Sequence, residues 1–237
     1  MASAYTLIED NSGDNGERLV ETVYSQLRQD ILFGIHKPAS KLKQGDLRRR
    51  YEASANTIRE ALAHLVAEGL VDAKGQRGFT VADVSLVDLA DITQTRILLE
   101  SQAVRLSLAV ADLDWEGEVM AAHYKLAKIE ELANQNHAQH RALLEQYDCE
   151  FHRTLIAGCN SPWILRFHAT MYDHMLRYRS LAYQVAEEEE LEASLLRTQQ
   201  EHLTLRDAAL AKEPEHLIKL LDAHIRKGET FAQTYGA

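Results

Sequence analysis

Proline and glycine are scarce in this chain, 3 and 11 among 237 residues. Few helix breakers, in a sequence rich in Ala, Leu, Glu, Gln and Arg, argue against a turn-rich sheet protein and for helices. Cysteine is rarer still. Cys149 and Cys159 are the only two, too few and too close for a disulfide framework, so a reduced, cytoplasmic setting is expected. No apolar run approaches the roughly 20 residues of a membrane span, which excludes a membrane partner of helical type. The opening "MASAYTLIEDNSGDNGE" has no basic segment followed by an apolar one, so it is not read as a signal peptide. Residues 1–17 are expected to be a disordered polar tail. Catalytic signatures are missing too. There is no HExxH, no Gly-rich phosphate loop and no Ser/His/Asp or Cys/His constellation. The one Glu-x-x-His, "EPEH" at Glu213 to His216, crosses a proline, whereas a di-iron bundle needs two such motifs. An enzyme is not expected, and a helical metalloenzyme is the remote alternative. What the chain does have is 46% hydrophobic and 26% charged residues, enough for a real core.

The net charge of −10 argues against nucleic acid only if it is taken whole. Residues 18–80 hold 11 Lys and Arg against 7 Asp and Glu, whereas residues 81–237 hold 15 against 25. A basic N-terminal module joined to an acidic one is the asymmetry expected when only the first touches phosphate. In that first module, spanning 18–83, Leu19, Val23, Leu27 and Ile31 recur every four residues, giving an amphipathic helix that ends at Gly34. "HKPASKLK" is read as a loop. "QGDLRRRYE" gives a short second helix. "ASANTIREALAHLVAEGL" gives a third, capped by Ser54 and buried through Ile58, Leu62 and Leu65. Two short β-rich runs, Leu70 to Ala73 and Phe79 to Val81, flank the hairpin tip "KGQRG". The sum is a winged helix-turn-helix. The start of its recognition helix, Ala55, Asn56, Thr57 and Arg59, would face base edges in the major groove. Arg48, Arg49 and Arg50 would meet backbone phosphate, and Lys74, Gln76 and Arg77 would reach the adjacent groove from the wing. A run of three arginines is by itself usually a solvated face; the motif around it favours double-stranded DNA.

From Val84 to the end no strand signal is found. Six helices are predicted, at roughly 85–109, 115–135, 138–157, 162–186, 188–211 and 215–235, in an antiparallel all-α bundle. The glutamate run 187–190 is expected to cap a helix start. Within the third of these helices stands "DCEFH". Asp148 and His152, one turn apart, share a face with Leu144, Phe151, Leu155 and Ile156, so both point inward. Considered alone, they make a buried hydrogen-bonded pair. His202 and His224 change the balance. They stand 11 residues either side of Glu213, at the turn between the last two helices, so an antiparallel hairpin puts them at one height. Three imidazoles and a carboxylate in one layer suit a divalent metal: zinc foremost, with nickel, manganese or iron as alternatives. His123, His137, His140, His168, His174 and His216 lack this placement and are read as surface or core residues. An ion so held keeps net positive charge and attracts an anion. Arg96 could fork a carboxylate of that anion or could pair with Glu100. Asn160, Arg153, Tyr178 and Arg179 are weaker candidates, Arg179 being expected exposed.

The stretch "GDLRRRYEASANTIREALAHLVAEGLVDAKGQRGFTV" resembles the GntR family of bacterial transcription regulators. Ala55 stands where most members have arginine, Thr57 where proline is common and Glu52 where a turn glycine is usual. "TRILLE", "DCEFHRTLIAGCN", "EH" and "DAHI" resemble the FCD ligand-binding domain of the FadR subfamily, in its six-helix, VanR-like branch. "FHRTLIAGC" and "LRYRSLAY" are similar to a glutarate-responsive repressor of that subfamily. The resemblance implies a metal on Asp148, His152, His202 and His224 and a small organic acid bound beside it. It also implies a homodimer on a pseudo-palindromic operator, repression as the usual sense, and effector control of DNA affinity. A structural metal, or a metal that is itself the signal, is the alternative.

Overall fold

The computed structural model describes residues 12–235. Expectations for residues 1–11 lie outside the described residues. Two compact units meet between Asp83 and Val84.

The first unit opens with α1 (Ser12–Leu32), which starts earlier than Arg18 and so overlaps the stretch expected to be a tail. Its inward stripe is Val23, Leu27 and Ile31, each almost fully buried, whereas Leu19 is 42% exposed and is not part of it. After Gly34, which turns at a φ of +74°, comes a difference from expectation. The segment read as a loop contains a strand, β1 (Lys41–Leu42). Two residues are too short to show period-two alternation, and their partner is distant in sequence. α2 (Gln44–Arg50) and α3 (Ala55–Ala67) follow. The Ser54 hydroxyl caps α3 by accepting the Thr57 amide at 3.2 Å, and Ile58, Ala61, Leu62 and Leu65 are buried beneath it. β2 (Val71–Ala73) and β3 (Phe79–Val81) pair antiparallel as Val71 with Val81 and Ala73 with Phe79. β1 adds to the other edge of β3, giving the order β1-β3-β2.

The second unit holds α4 (Leu86–Leu108), α5 (Leu113–Ala133), α6 (His137–Ile156), α7 (Pro162–Val185), α8 (Glu188–Leu210) and α9 (Pro214–Tyr235). Ser85, Asp112, Asn136 and Ser161 each cap the next helix by accepting an amide three residues on. Glu187 sits at the start of α8 but makes no capping bond. Glu188, Glu189 and Glu190 fill the first turn instead, where negative charge complements the helix dipole. The main core gathers Val104, Val119, Leu126, Phe151, Leu155 and Leu205 from four of these helices. α4 runs so close to the end of α6 that a Cβ on Gly158 would come within 2.8 Å of the Ser107 hydroxyl, which the Gly158 amide uses as acceptor. Among the described residues no helix is long and apolar enough to cross a membrane.

Candidate metal centre and DNA-reading face

α6, α8 and α9 bring His152, His202 and His224 together, with one nitrogen of each ring lying within 4.8 Å of the others. Ring centroids are 4.9 Å apart for His202 and His224 and 5.0 Å for His152 and His224. Asp148, one turn before His152, puts Oδ1 3.1 Å from His202 Nε2 and 3.7 Å from His152 Nε2. The three histidines therefore share one layer, and Asp148 borders it beside His152 and His202. Phe151 floors it, with its ring edge-on to both His152 and His202.

The outer partners orient these groups. His202 Nδ1 meets Glu130 Oε1 at 2.6 Å, and His224 Nδ1 meets Glu201 Oε2 at 2.8 Å. A carboxylate behind each imidazole fixes the ring and aims the other nitrogen inward, the outer arrangement of metal-binding histidines. Asp148 is held by Arg179 Nη1 at 3.1 Å and by the Tyr172 hydroxyl. Tyr172 itself is flanked by the guanidinium groups of Arg96 and Arg179, 5.2 and 5.1 Å from its ring. Two buried nitrogens, His152 Nδ1 and His202 Nε2, have no hydrogen-bond partner. His202 Nε2 lies 3.1 Å from Asp148 Oδ1, an ion-pair contact. Three imidazoles beside one carboxylate, with two buried ring nitrogens left without a hydrogen bond, fit a divalent ion.

Electrostatics sort the imidazoles. Burial pulls His152 well below the ordinary histidine range and lowers His224, so both are neutral at pH 7, as ligands must be. Burial also opposes charge on His202, but Asp148 and Glu130 outweigh it and raise its pKa to about 9. Asp148 is ionised: burial opposes its charge, and Arg179, then His202, reverse that. Glu145, buried behind it, is pushed up by desolvation although it pairs with Arg179.

A cavity of about 340 Å³ opens beside the cluster, reached by His152, His224, Arg96 and Arg179. A chamber of about 30 Å³ lies by Asp148, Glu130 and Glu145, room for one water. The further effector candidates divide. Arg96 is paired with Glu100, Nε to Oε1 at 2.9 Å, and it also lines the cavity. Arg179, expected outside, is inside. Tyr178, expected inside, is turned away: its hydroxyl bonds Asp88 Oδ2 at 2.6 Å and the Ser85 backbone at the start of α4. Asn160 is exposed and adopts a left-handed φ of +51° after the 3-10 turn Ala157–Cys159 that follows α6, a backbone task. Arg153 is exposed and does not line the cavity. Sequence reasoning missed Glu130, Glu145 and Tyr172, for which periodicity carries no signal. Glu201, in contrast, is adjacent to His202.

In the first unit, Ala55, Asn56 and Arg59 are exposed on the first turns of α3. Thr57 is half-buried, and its hydroxyl lies 2.9 Å from that of Ser54. Arg48, Arg49 and Arg50 are exposed on α2. Arg49 pairs with Asp46, and Arg50 reaches Asp30 of α1 at 2.8 Å, which leaves Arg48 the least committed. Lys74 and Arg77 are exposed at the wing, Lys74 lying 3.8 Å from Asp72. The side chain of Gln76 lies outside the described residues.

Sequence comparison agrees with both halves. Residues 19–81 match the family described as bacterial regulatory proteins, gntR family, and residues 91–227 match the FCD domain. The chain is 36% identical over 222 residues to the HTH-type transcriptional regulator BphR of Paraburkholderia xenovorans, covering 94% of this chain and 88% of that protein. It is 32% identical over 207 residues to the HTH-type transcriptional repressor GlaR of Escherichia coli, covering 85% and 90%. The E. coli McbR/YncC structure superposes with a TM-score of 0.74 over 91% of this chain and 97% of that one, at 20% identity, a likeness of fold. The chain belongs to the gntR family of bacterial regulatory proteins: it is a DNA-binding transcriptional regulator with an FCD domain, and not an enzyme.

Proposed function

We propose that the protein is a cytoplasmic repressor whose operator affinity is controlled by a small organic acid bound beside a divalent metal. Asp148, His152, His202 and His224 would hold the metal, zinc foremost. The observation that carries the reading is the convergence of three imidazole nitrogens within 4.8 Å, two of the rings, His152 and His224, standing on the wall of a 340 Å³ cavity. The ion supplies positive charge and open coordination for a carboxylate. The chain's own residues do the rest. Glu130 and Glu201 orient His202 and His224, and Arg179 and Tyr172 hold Asp148 in place. His202 would have to release its proton to hold the metal. Arg96 and Arg179 add positive charge to the cavity that receives the acid.

On the DNA side, Asn56 and Arg59 read base edges, Arg48 and Arg49 meet phosphate, and Lys74, Gln76 and Arg77 reach out from the wing. Two copies would place two heads on a pseudo-palindromic operator. The acid must bind the two conformational states unequally to change DNA affinity. A second reading makes the metal structural or the signal itself. It is favoured by the ligands coming from three different helices, which an ion would staple together.

The test is to select an operator from random duplexes with the purified protein. Its affinity is then measured with zinc alone, with chelator, and with zinc plus carboxylates. Loss of DNA binding on adding an acid only when zinc is present supports the first reading. A response to chelator and to no acid supports the second. No selected sequence at all would sink both.

A further inference from the structure

Resting on the effector reading above, we infer that the acid is an aryl or arylalkyl carboxylate, with its carboxylate at the metal cluster and its ring further along α9. Along that helix His224, Gly228, Phe231 and Tyr235 follow at successive turns, and all four line the cavity. At 1.5 Å rise per residue, Tyr235 lies about 16 Å along the axis from His224. The far end is aromatic. Tyr183 of α7 packs on Phe231 with centroids 5.5 Å apart, and Phe231 on Tyr235 at 5.1 Å. Met175, also on the wall, adds a polarisable thioether suited to a ring edge.

Several polar groups along the cavity are already committed, though Ser194, Arg197 and Thr198 line it as well. The Thr230 and Thr234 hydroxyls donate to carbonyls of their own helix, Arg226 O and Thr230 O, at 2.9 Å each. Arg96 is held by Glu100, Arg179 by Glu145 and Asp148, and Lys227 by Glu201. A sugar acid or citrate-like ligand needs spare donors along its length, and the stretch of wall made by Met175, Ile225, Gly228 and Phe231 supplies none from side chains. A flat apolar body needs none, and three rings give it edge and face contacts.

Gly228 supports the same conclusion. It is helical, with no positive φ to require glycine. A Cβ there would meet nothing within 4 Å, so no neighbour crowds it either. Glycine inside a helix is destabilising relative to alanine, and here neither backbone nor packing calls for it. Its effect is to leave an open wall between His224 and Phe231 over which a ring can lie. Exposed Arg197 at the mouth draws the anion in.

The experiment is isothermal titration calorimetry of the zinc-loaded full chain with 3-phenylpropionate, benzoate, glutarate and citrate. It is run on the wild type, Phe231→Ala and Gly228→Leu, with metal content and circular dichroism checked for each. We expect an aryl acid to bind at least about tenfold more tightly than glutarate or citrate, and Phe231→Ala to weaken it about tenfold. Gly228→Leu should abolish binding while the metal and the helical spectrum are retained. Tighter binding of glutarate or citrate overturns the aryl inference and leaves the effector reading standing. Unchanged 3-phenylpropionate binding in Gly228→Leu overturns it as well. Failure of every acid on a chain holding its full metal complement removes both the inference and the effector reading.

Discussion

Replacing Arg179 with methionine removes the one guanidinium that faces both Asp148 and Glu145. Methionine keeps much of the length and the apolar stem, so the loss is mainly of charge. Two carboxylates, 7% and 5% exposed, are then left close together in a low-dielectric interior. Breaking a buried ion pair by deleting one partner costs about 3–5 kcal/mol. Protonation of Glu145, already pushed up by burial, relieves part of this, so about 3 kcal/mol is expected. For a chain of this size each kcal/mol lowers Tm by roughly 2–4 °C, giving a drop of about 6–12 °C. A bound divalent cation next to Asp148 offsets part of the missing charge. Saturation at a hundredfold over Kd would return about 2.7 kcal/mol to the wild type and the variant alike, if the variant still binds. The assay is thermal denaturation by circular dichroism at pH 7.5, in chelator and in excess zinc. A variant melting within 2 °C of wild type in chelator would refute the claim that Arg179 neutralises this pair.

Arg59→Ala is expected to weaken operator binding by about 1–3 kcal/mol with relaxed preference at one base position, whereas Arg48→Ala should weaken all sequences alike and lower the salt slope; fluorescence anisotropy on matched and mismatched duplexes separates them. Glu52 holds a left-handed φ of +50°; Glu52→Gly should stabilise the DNA-binding unit by about 1 kcal/mol, read by hydrogen exchange of α2 and α3. Burial holds His123 and His137 neutral, each lowered to about 4. Because they protonate near 6.5 only when unfolded, their contribution is intact above that pH and lost between pH 6.5 and 4. After allowing for their partial solvation the loss is about 2 kcal/mol in chelator, and a flat urea midpoint across that range would contradict it.

The helices were legible because their breaks are chemically marked: Asp112, Ser161 with Pro162, and Pro214 all stand where the structure starts a helix. The convergence of Asp148, His152, His202 and His224 was legible for a different reason. One turn of helix relates Asp148 to His152 and one symmetric hairpin relates His202 to His224, while the height of α6 against that hairpin is set by packing. Other features escaped for physical reasons. α7 buries residues all round, with Arg177, Tyr178 and Ser180 each almost inaccessible, so periodicity could not say whether Tyr178 or Arg179 faces the cavity. Glu130 meets His202 across 72 positions of sequence, and no local pattern carries such a pairing. β1 exists only because β3 supplies its partner. Leu19 fits the stripe of α1 by spacing, yet it is exposed.

Metal content of the purified chain tests the central claim most directly, with wild type measured beside His202→Ala and His224→Ala by elemental analysis. His202 lies between Asp148 and Glu130, and His224 contacts both other rings, so neither can be dispensed with. The account expects about one equivalent of a divalent metal per wild-type chain, on the stoichiometry of a single three-imidazole, one-carboxylate site, and its loss from both variants while their helical spectra persist. A wild type that holds no metal after reconstitution with zinc, nickel or manganese would contradict it. "DCEFH" would then be a buried Asp148–His202 ion pair beside a neutral His152, and the cavity would need another explanation.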